Sequence, residues 1–66
     1  MTPAEFRAAI TKLGLSQEEA GRLLGRSGRT GQRWATGKSP IPHTVALLLV
    51  LAVRDKKWAA LLKRSH

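Results

Sequence analysis

From Phe6 onward the apolar positions fall at helical spacing. Phe6, Ala9, Ile10 and Leu13 stand at i, i+3, i+4 and i+7, which makes one stripe. Thr2 precedes them with Pro3 next and Glu5 three residues on, a capping box with proline at the first helical position. Gly14 ends this first helix, because glycine takes the left-handed closing conformation without a Cβ penalty. Ser16 and Glu19 form a second capping box. It opens a short helix whose buried side is Ala20, Leu23 and Leu24 and which closes at Gly25. Two turns do not hold alone in water, so this helix must lean on neighbours. Ser27 caps a third helix from about Gly28 to Thr36, with Gly37 after it. Lys38, Ser39, Pro40 and Ile41 make a connector. Pro42 fits the first turn of a fourth helix reaching about Val53, and Asp55 caps a fifth, Lys56 to Lys63. There are no repeats, low-complexity tracts or alternating strand patterns. The prediction is all-α, a compact bundle of five short helices, with residues 1–66 as a single domain.

A domain this small buries only about 60% of its unfolded surface, so its stability is expected to be marginal. The chain has no cysteine, which excludes disulfides, thiol chemistry and cysteine-based zinc sites. Its N-terminus lacks the basic-then-apolar order of a signal peptide. Its longest apolar run, Val45 to Val53, falls far short of the roughly 20 residues of a membrane span. A cytoplasmic location with no membrane partner is expected.

Charge narrows the function. Twelve Lys and Arg face four Asp and Glu, a net +8. A small folded domain this basic calls for a polyanion. From Arg22 to Lys38 every charged residue is basic: Arg22, Arg26, Arg29, Arg33 and Lys38. Solubility alone does not require clearing acids from a whole segment. A second basic cluster, Arg54, Lys56, Lys57, Lys63 and Arg64, suits either flanking phosphates or a solvated helix face.

At 100° per residue, the third helix splits in two. Arg29, Gln32, Arg33 and Thr36 share one face; Thr30, Gly31, Trp34 and Ala35 share the other. Arg pairs bidentately with guanine O6 and N7, and Gln with adenine N6 and N7, in the major groove. Arg29, Gln32 and Arg33 therefore have the types and spacing of a base-reading set. A merely solvated basic face would explain the charge but not the glutamine.

The stretch Ser16-Gln-Glu-Glu-Ala-Gly-Arg-Leu-Leu-Gly25-Arg-Ser-Gly-Arg-Thr-Gly-Gln-Arg-Trp34-Ala-Thr-Gly37 resembles the helix-turn-helix of the lambda-repressor-like DNA-binding domains, the Cro, phage-repressor and xenobiotic-response-element family. The shared pattern is Gln17 opening helix two, small residues at its crossing point, Leu-Leu-Gly at the turn, Ser opening helix three and Trp-x-x-Gly closing it. The flanking helices fit that five-helix domain, so the resemblance covers nearly the whole chain. It implies a helix-turn-helix at about 17–36, followed by helices four and five at about 42–64. It places Gly28, Arg29, Gln32 and Arg33 where the family contacts base edges, Gly28 through backbone alone. It places Arg26, Ser27, Thr36, Lys38 and Ser39 as candidate phosphate contacts, which position a protein without reading sequence, and Gln17 where the family touches phosphate or supports the reading helix. Two positions depart from the pattern. Arg26 stands where the family has an apolar residue, and Gly31 where it has a β-branched one. Either helix three packs more weakly on helix two, or Gly21 and Gly31 let the two backbones cross unusually closely.

Helix four is apolar all round, whereas a surface helix needs one stripe. Part of it is core. The remainder, with helix five, would expose an apolar patch unless a second chain covers it. Leu47, Val50, Leu51, Trp58, Leu61 and Leu62 are the expected homodimer contacts, matching the two-fold symmetry of inverted-repeat operators. The alternative is a central helix wrapped by the other four. His43 and His66 fit no metal motif, and Trp34 and Trp58 read as core or interface. No catalytic constellation or phosphate-binding glycine loop is present in the sequence. No enzyme activity, metal, cofactor or small-molecule ligand is expected. The expected partner is double-stranded DNA carrying an inverted repeat, bound by a homodimeric transcriptional repressor of its own operon. The resembling set includes phage and mobile-element regulators, anti-CRISPR-associated repressors and antitoxins. A protein-interaction module of antitoxin or adaptor type is the main alternative.

Overall fold

The computed structural model describes residues 1–64, so His66 lies outside the described residues. The order is α1 (Pro3–Lys12), α2 (Gln17–Leu23), α3 (Gly28–Thr36), α4 (His43–Arg54) and α5 (Lys56–Arg64). Among the described residues there is no strand.

Local chemistry sets most of these boundaries. Both capping boxes form. The Glu5 amide donates to Thr2 Oγ1 at 3.1 Å while Glu5 Oε1 accepts from the Thr2 amide at 2.7 Å. Ser16 and Glu19 repeat the exchange at 3.1 and 2.9 Å. Three helix ends share one closure. Gly14, Gly25 and Gly37 adopt φ of +72°, +80° and +80°. The amide after each reaches back to a carbonyl five residues earlier: Leu15 to Ile10, Arg26 to Gly21, Lys38 to Arg33. These are Schellman closures, which need a left-handed residue and so favour glycine. The fourth helix starts one residue later than expected. Pro42 has an extended ψ of 145° and stands before the first turn, which begins at His43. Asp55 Oδ1 accepts from the Lys57 amide at 2.9 Å and opens α5.

The core is small and drawn mainly from three helices. Phe6, Ala9, Ile10 and Leu13 come from α1 and its end, Trp34 and Ala35 from α3, and Val45, Leu49 and Ala52 from α4. α2 adds Ala20. Leu23 and Leu24, expected on the buried side of α2, are only half-buried. Phe6 and Trp34 meet edge to face, centroids 5.9 Å apart, an arrangement aromatic quadrupoles favour. The radius of gyration, 10.4 Å, is close to the roughly 11 Å expected for this length.

α4 is not wrapped by the other helices. It packs on α1 and α5 through Val45, Leu49 and Ala52. Its far side leaves Leu47 50% and Val50 41% exposed. None of the described helices is long and apolar enough to cross a membrane.

Candidate nucleic-acid interface

α3 divides as its periodicity predicts. Gly31, Trp34 and Ala35 are buried, with Trp34 only 2% exposed. Arg29, Gln32, Arg33 and Thr36 are exposed. The buried face is gripped from two sides.

On the α2 side the grip is backbone against backbone. A Cβ on Gly21 would lie 2.7 Å from the Gly31 amide nitrogen and collide with the Ser27 carbonyl. A Cβ on Gly31 would lie 2.9 Å from the Gly21 nitrogen and collide with the Gln17 carbonyl oxygen. The close crossing, rather than weakened packing, is what the paired glycines produce. A β-branched side chain at position 31 has no room.

On the α1 side, Trp34 packs on Phe6, and Arg7 Nη1 donates to the Ala35 carbonyl. That carbonyl belongs to the last turn of α3, where intrahelical donors run out and a cation is favoured. Sequence reasoning assigned Arg7 no role. Its partner lies 28 residues away, and no local motif announces it.

The exposed face forms a shallow concavity of about 310 Å³, lined by Gln17, Arg29, Gln32, Arg33, Thr36 and Lys38. Gln17 enters from the start of α2 and Lys38 from the loop after α3, so three separate segments meet there. Three of its six residues are cationic and none is acidic. Of the predicted base-reading set, Arg29, Gln32 and Arg33 converge here. Gly28 stands apart. A Cβ there would lie 3.1 Å from Arg22 Nη1 and 3.2 Å from Glu18 Cβ, so that side of the residue faces α2.

The predicted phosphate contacts separate by geometry. Ser27 Oγ caps α3 by accepting from the Thr30 amide at 3.2 Å. The first amides of the helix, Gly28 and Arg29, have no intrahelical acceptor and suit an anion. Arg26 is exposed in the turn before them, and Lys38 lies on the rim of the concavity. Thr36 donates its hydroxyl to the Gln32 carbonyl at 2.9 Å, which leaves only acceptor capacity outward, and phosphate oxygens need donors. Ser39 is engaged by Arg33, whose Nε donates to Ser39 Oγ at 2.9 Å.

Glu18 lies beside the start of α3, against Gly28, while two other acids are committed to helix starts. The Glu19 carboxyl is held below the ordinary glutamate range, first by the Ser16 backbone amide and then by the Ser16 hydroxyl. Glu5 is lowered in the same way by Thr2. Both carboxylates serve helix starts away from the α3 face.

Two apolar surfaces lie away from the concavity. Leu47, Val50 and Leu51 form the outward face of α4, and each is at least 40% exposed. A groove of about 330 Å³ between α2, α4 and α5 is lined by Leu23, Leu24, Leu48, Trp58, Leu61 and Leu62. The six expected dimer contacts are thus split between the two. Leu62 is half-buried against the core, because it shares the inward side of α5 with Ala59. Leu24 and Leu48 were not singled out as surface residues from the sequence. Among the described residues, no cluster of three or more His, Cys, Asp or Glu could hold a metal.

Comparison of the chain with known protein families, curated proteins and solved structures finds no match.

Proposed function

We propose that α2, its turn and α3 are a helix-turn-helix of the lambda-repressor-like type and that the chain binds double-stranded DNA sequence-specifically. One observation carries this reading. Arg29, Gln32 and Arg33 project from one exposed helix face into a single concave, acid-free surface with Gln17 and Lys38 at its edge. Arg and Gln are the side chains whose donors and acceptors match guanine and adenine edges in the major groove. The grip of α1 and α2 on the buried face supports it too, because a reading surface must be held rigidly to discriminate.

The protein acts as a homodimer, each chain laying α3 into one half-site of an inverted repeat. The half-sites lie about one helical turn, roughly 34 Å, apart. The exposed α4 face supports dimerisation, since large exposed apolar patches mark interaction sites. The role is transcriptional repression of its own operon, in the manner of phage and mobile-element regulators, anti-CRISPR-associated repressors among them. It is exercised in the cytoplasm and without a cofactor. The protein-interaction reading, of antitoxin or adaptor type, draws on one feature, the apolar groove beside α5.

Selection from a randomised duplex pool at near-physiological salt tests the proposal. The expected product is an inverted repeat with half-sites one turn apart. Salt-sensitive binding without any enriched motif would refute sequence reading and leave only an electrostatic footprint.

A further inference from the structure

Ser39 lies three residues beyond the end of α3, in a loop, and still touches the reading face. The turn at Gly37 makes this possible. Its left-handed backbone, φ +80° and ψ 8°, folds the chain back over the last turn of the helix. The Lys38 and Ser39 amides then both donate to the Arg33 carbonyl, at 2.9 and 3.3 Å. The hydroxyl of Ser39 accepts from Arg33 Nε at 2.9 Å. Residue 33 is thereby held twice by the same loop, once through its backbone and once through its side chain.

The choice of nitrogen matters. A guanidinium offers five N–H donors in a planar fork and can pair bidentately through its Nη1/Nη2 end or its Nε/Nη2 side. Ser39 occupies Nε and so removes the side-on edge. The end-on pair is the one left for a base edge at the concavity that Arg33 lines. An exposed arginine otherwise samples many rotamers, and that freedom must be lost when it pairs with a base. Ser39 is half-buried and its backbone is tied down, so it is a fixed post against which the plane is set.

We propose that Ser39 is a positioning residue for sequence discrimination: it orients the Arg33 guanidinium so that its Nη1/Nη2 end reads a guanine edge, O6 and N7. Its role is exerted through Arg33, not through a phosphate contact of its own. The inference rests on the DNA-reading function proposed above.

The test uses the whole chain and the duplex recovered by selection. Affinities are measured by fluorescence anisotropy on that duplex and on duplexes in which each base pair of one half-site is changed in turn. Wild type, Arg33→Ala, Ser39→Ala, Ser39→Thr and the double Arg33→Ala/Ser39→Ala variant are compared, with thermal melts to establish folding. Arg33→Ala should flatten discrimination at one G·C pair. Ser39→Ala should reduce discrimination at that same pair by about 3- to 10-fold, the worth of one side-chain hydrogen bond. Its affinity for random duplex and its melting temperature should stay at the wild-type values. Ser39→Thr, which keeps the hydroxyl, should restore discrimination, and the double variant should be no worse than Arg33→Ala. Equal weakening by Ser39→Ala on every duplex would identify a phosphate contact and overturn the proposal. So would full discrimination at the Arg33 pair in Ser39→Ala, or an Arg33→Ala variant that keeps every preference. Those results leave DNA reading intact. A wild-type protein that binds all duplexes alike would overturn that reading and the inference with it.

Discussion

Replacing Gly31 separates local from tertiary energetics, because the two predict opposite signs. Gly31 lies mid-helix, where Gly→Ala is favourable by about 1 kcal/mol on propensity alone. The structure predicts a loss instead. The new Cβ would lie 2.9 Å from the Gly21 nitrogen and 3.0 Å from the Gln17 carbonyl carbon, and would collide with the Gln17 oxygen. All three are backbone atoms, so no side-chain rotation relieves them. To restore ordinary contact near 3.5 Å, α2 must retreat by at least about 0.6 Å at Gly21. Overpacking of this kind costs about 1–3 kcal/mol. The collision with a carbonyl oxygen places Gly31→Ala at the upper end, for a net loss of about 1–2 kcal/mol after the propensity gain. Gly31→Val adds two more carbons and loses most of that gain, so about 3 kcal/mol or more is expected. A chain of this length has a total stability of only about 3–10 kcal/mol. At about 4–8 °C per kcal/mol, Gly31→Ala should lower the melting temperature by roughly 5–15 °C, read by circular dichroism at 222 nm. Gly21→Ala should do the same. An unchanged or higher melting temperature in Gly31→Ala would mean that α2 and α3 do not cross at backbone contact.

Four further outcomes follow from the same geometry. Arg29→Ala should cost about 1–3 kcal/mol on the selected duplex and relax preference at one base pair, measured by anisotropy. Lys38→Ala should weaken binding on every duplex alike and reduce the slope of log K against log salt by about 0.9. Leu47→Lys with Val50→Lys should abolish the proposed self-association in analytical ultracentrifugation and leave the helical signal unchanged, since both side chains are exposed within the single chain. The Glu5 and Glu19 carboxyls are lowered by accepting backbone amides, so folding favours their anions. Their contribution is complete above the ordinary glutamate range and is lost as the pH falls through it toward the depressed folded-state values. Acid melts should show that loss, and Glu5→Gln with Glu19→Gln should flatten it.

Most helix boundaries were legible because they rest on chemistry within about five residues; the start of α4, which has no side-chain cap, fell one residue later than expected. The Thr2 and Ser16 capping boxes, Ser27 before α3 and the three closing glycines are local devices, and all form. The division of α3 into exposed Arg29, Gln32 and Arg33 against buried Trp34 was also readable, because helical periodicity decides it. Contacts between distant segments were not. Arg7 meets the end of α3 only because Phe6 and Trp34 set the angle between the helices. Ser39 meets Arg33 only because the Gly37 turn folds back. The Gly21–Gly31 crossing lay between the two cases. The residue types allowed it, and the choice between a loose and a close packing depended on the backbone. The all-round apolar pattern of helix four pointed to part core and part surface but left a fully wrapped helix open, and the exposure of Leu47, Val50 and Leu51 decides between them. Which of its neighbours share that surface depended on where α5 lies, so the groove with Leu24 and Leu48 emerged only in three dimensions.

The central claim is that the α3 face, and not the basic C-terminal helix, meets DNA. Amide chemical-shift mapping by NMR on the uniformly labelled protein, titrated with duplex DNA, tests it directly, and a duplex of arbitrary sequence suffices. The predicted result is a contiguous set of shifts covering Gln17, Arg26 to Arg33 and Thr36 to Ser39, with α1 and the α4 core unmoved. Shifts concentrated at Lys56, Lys57, Lys63 and Arg64, with α3 unmoved, would contradict it.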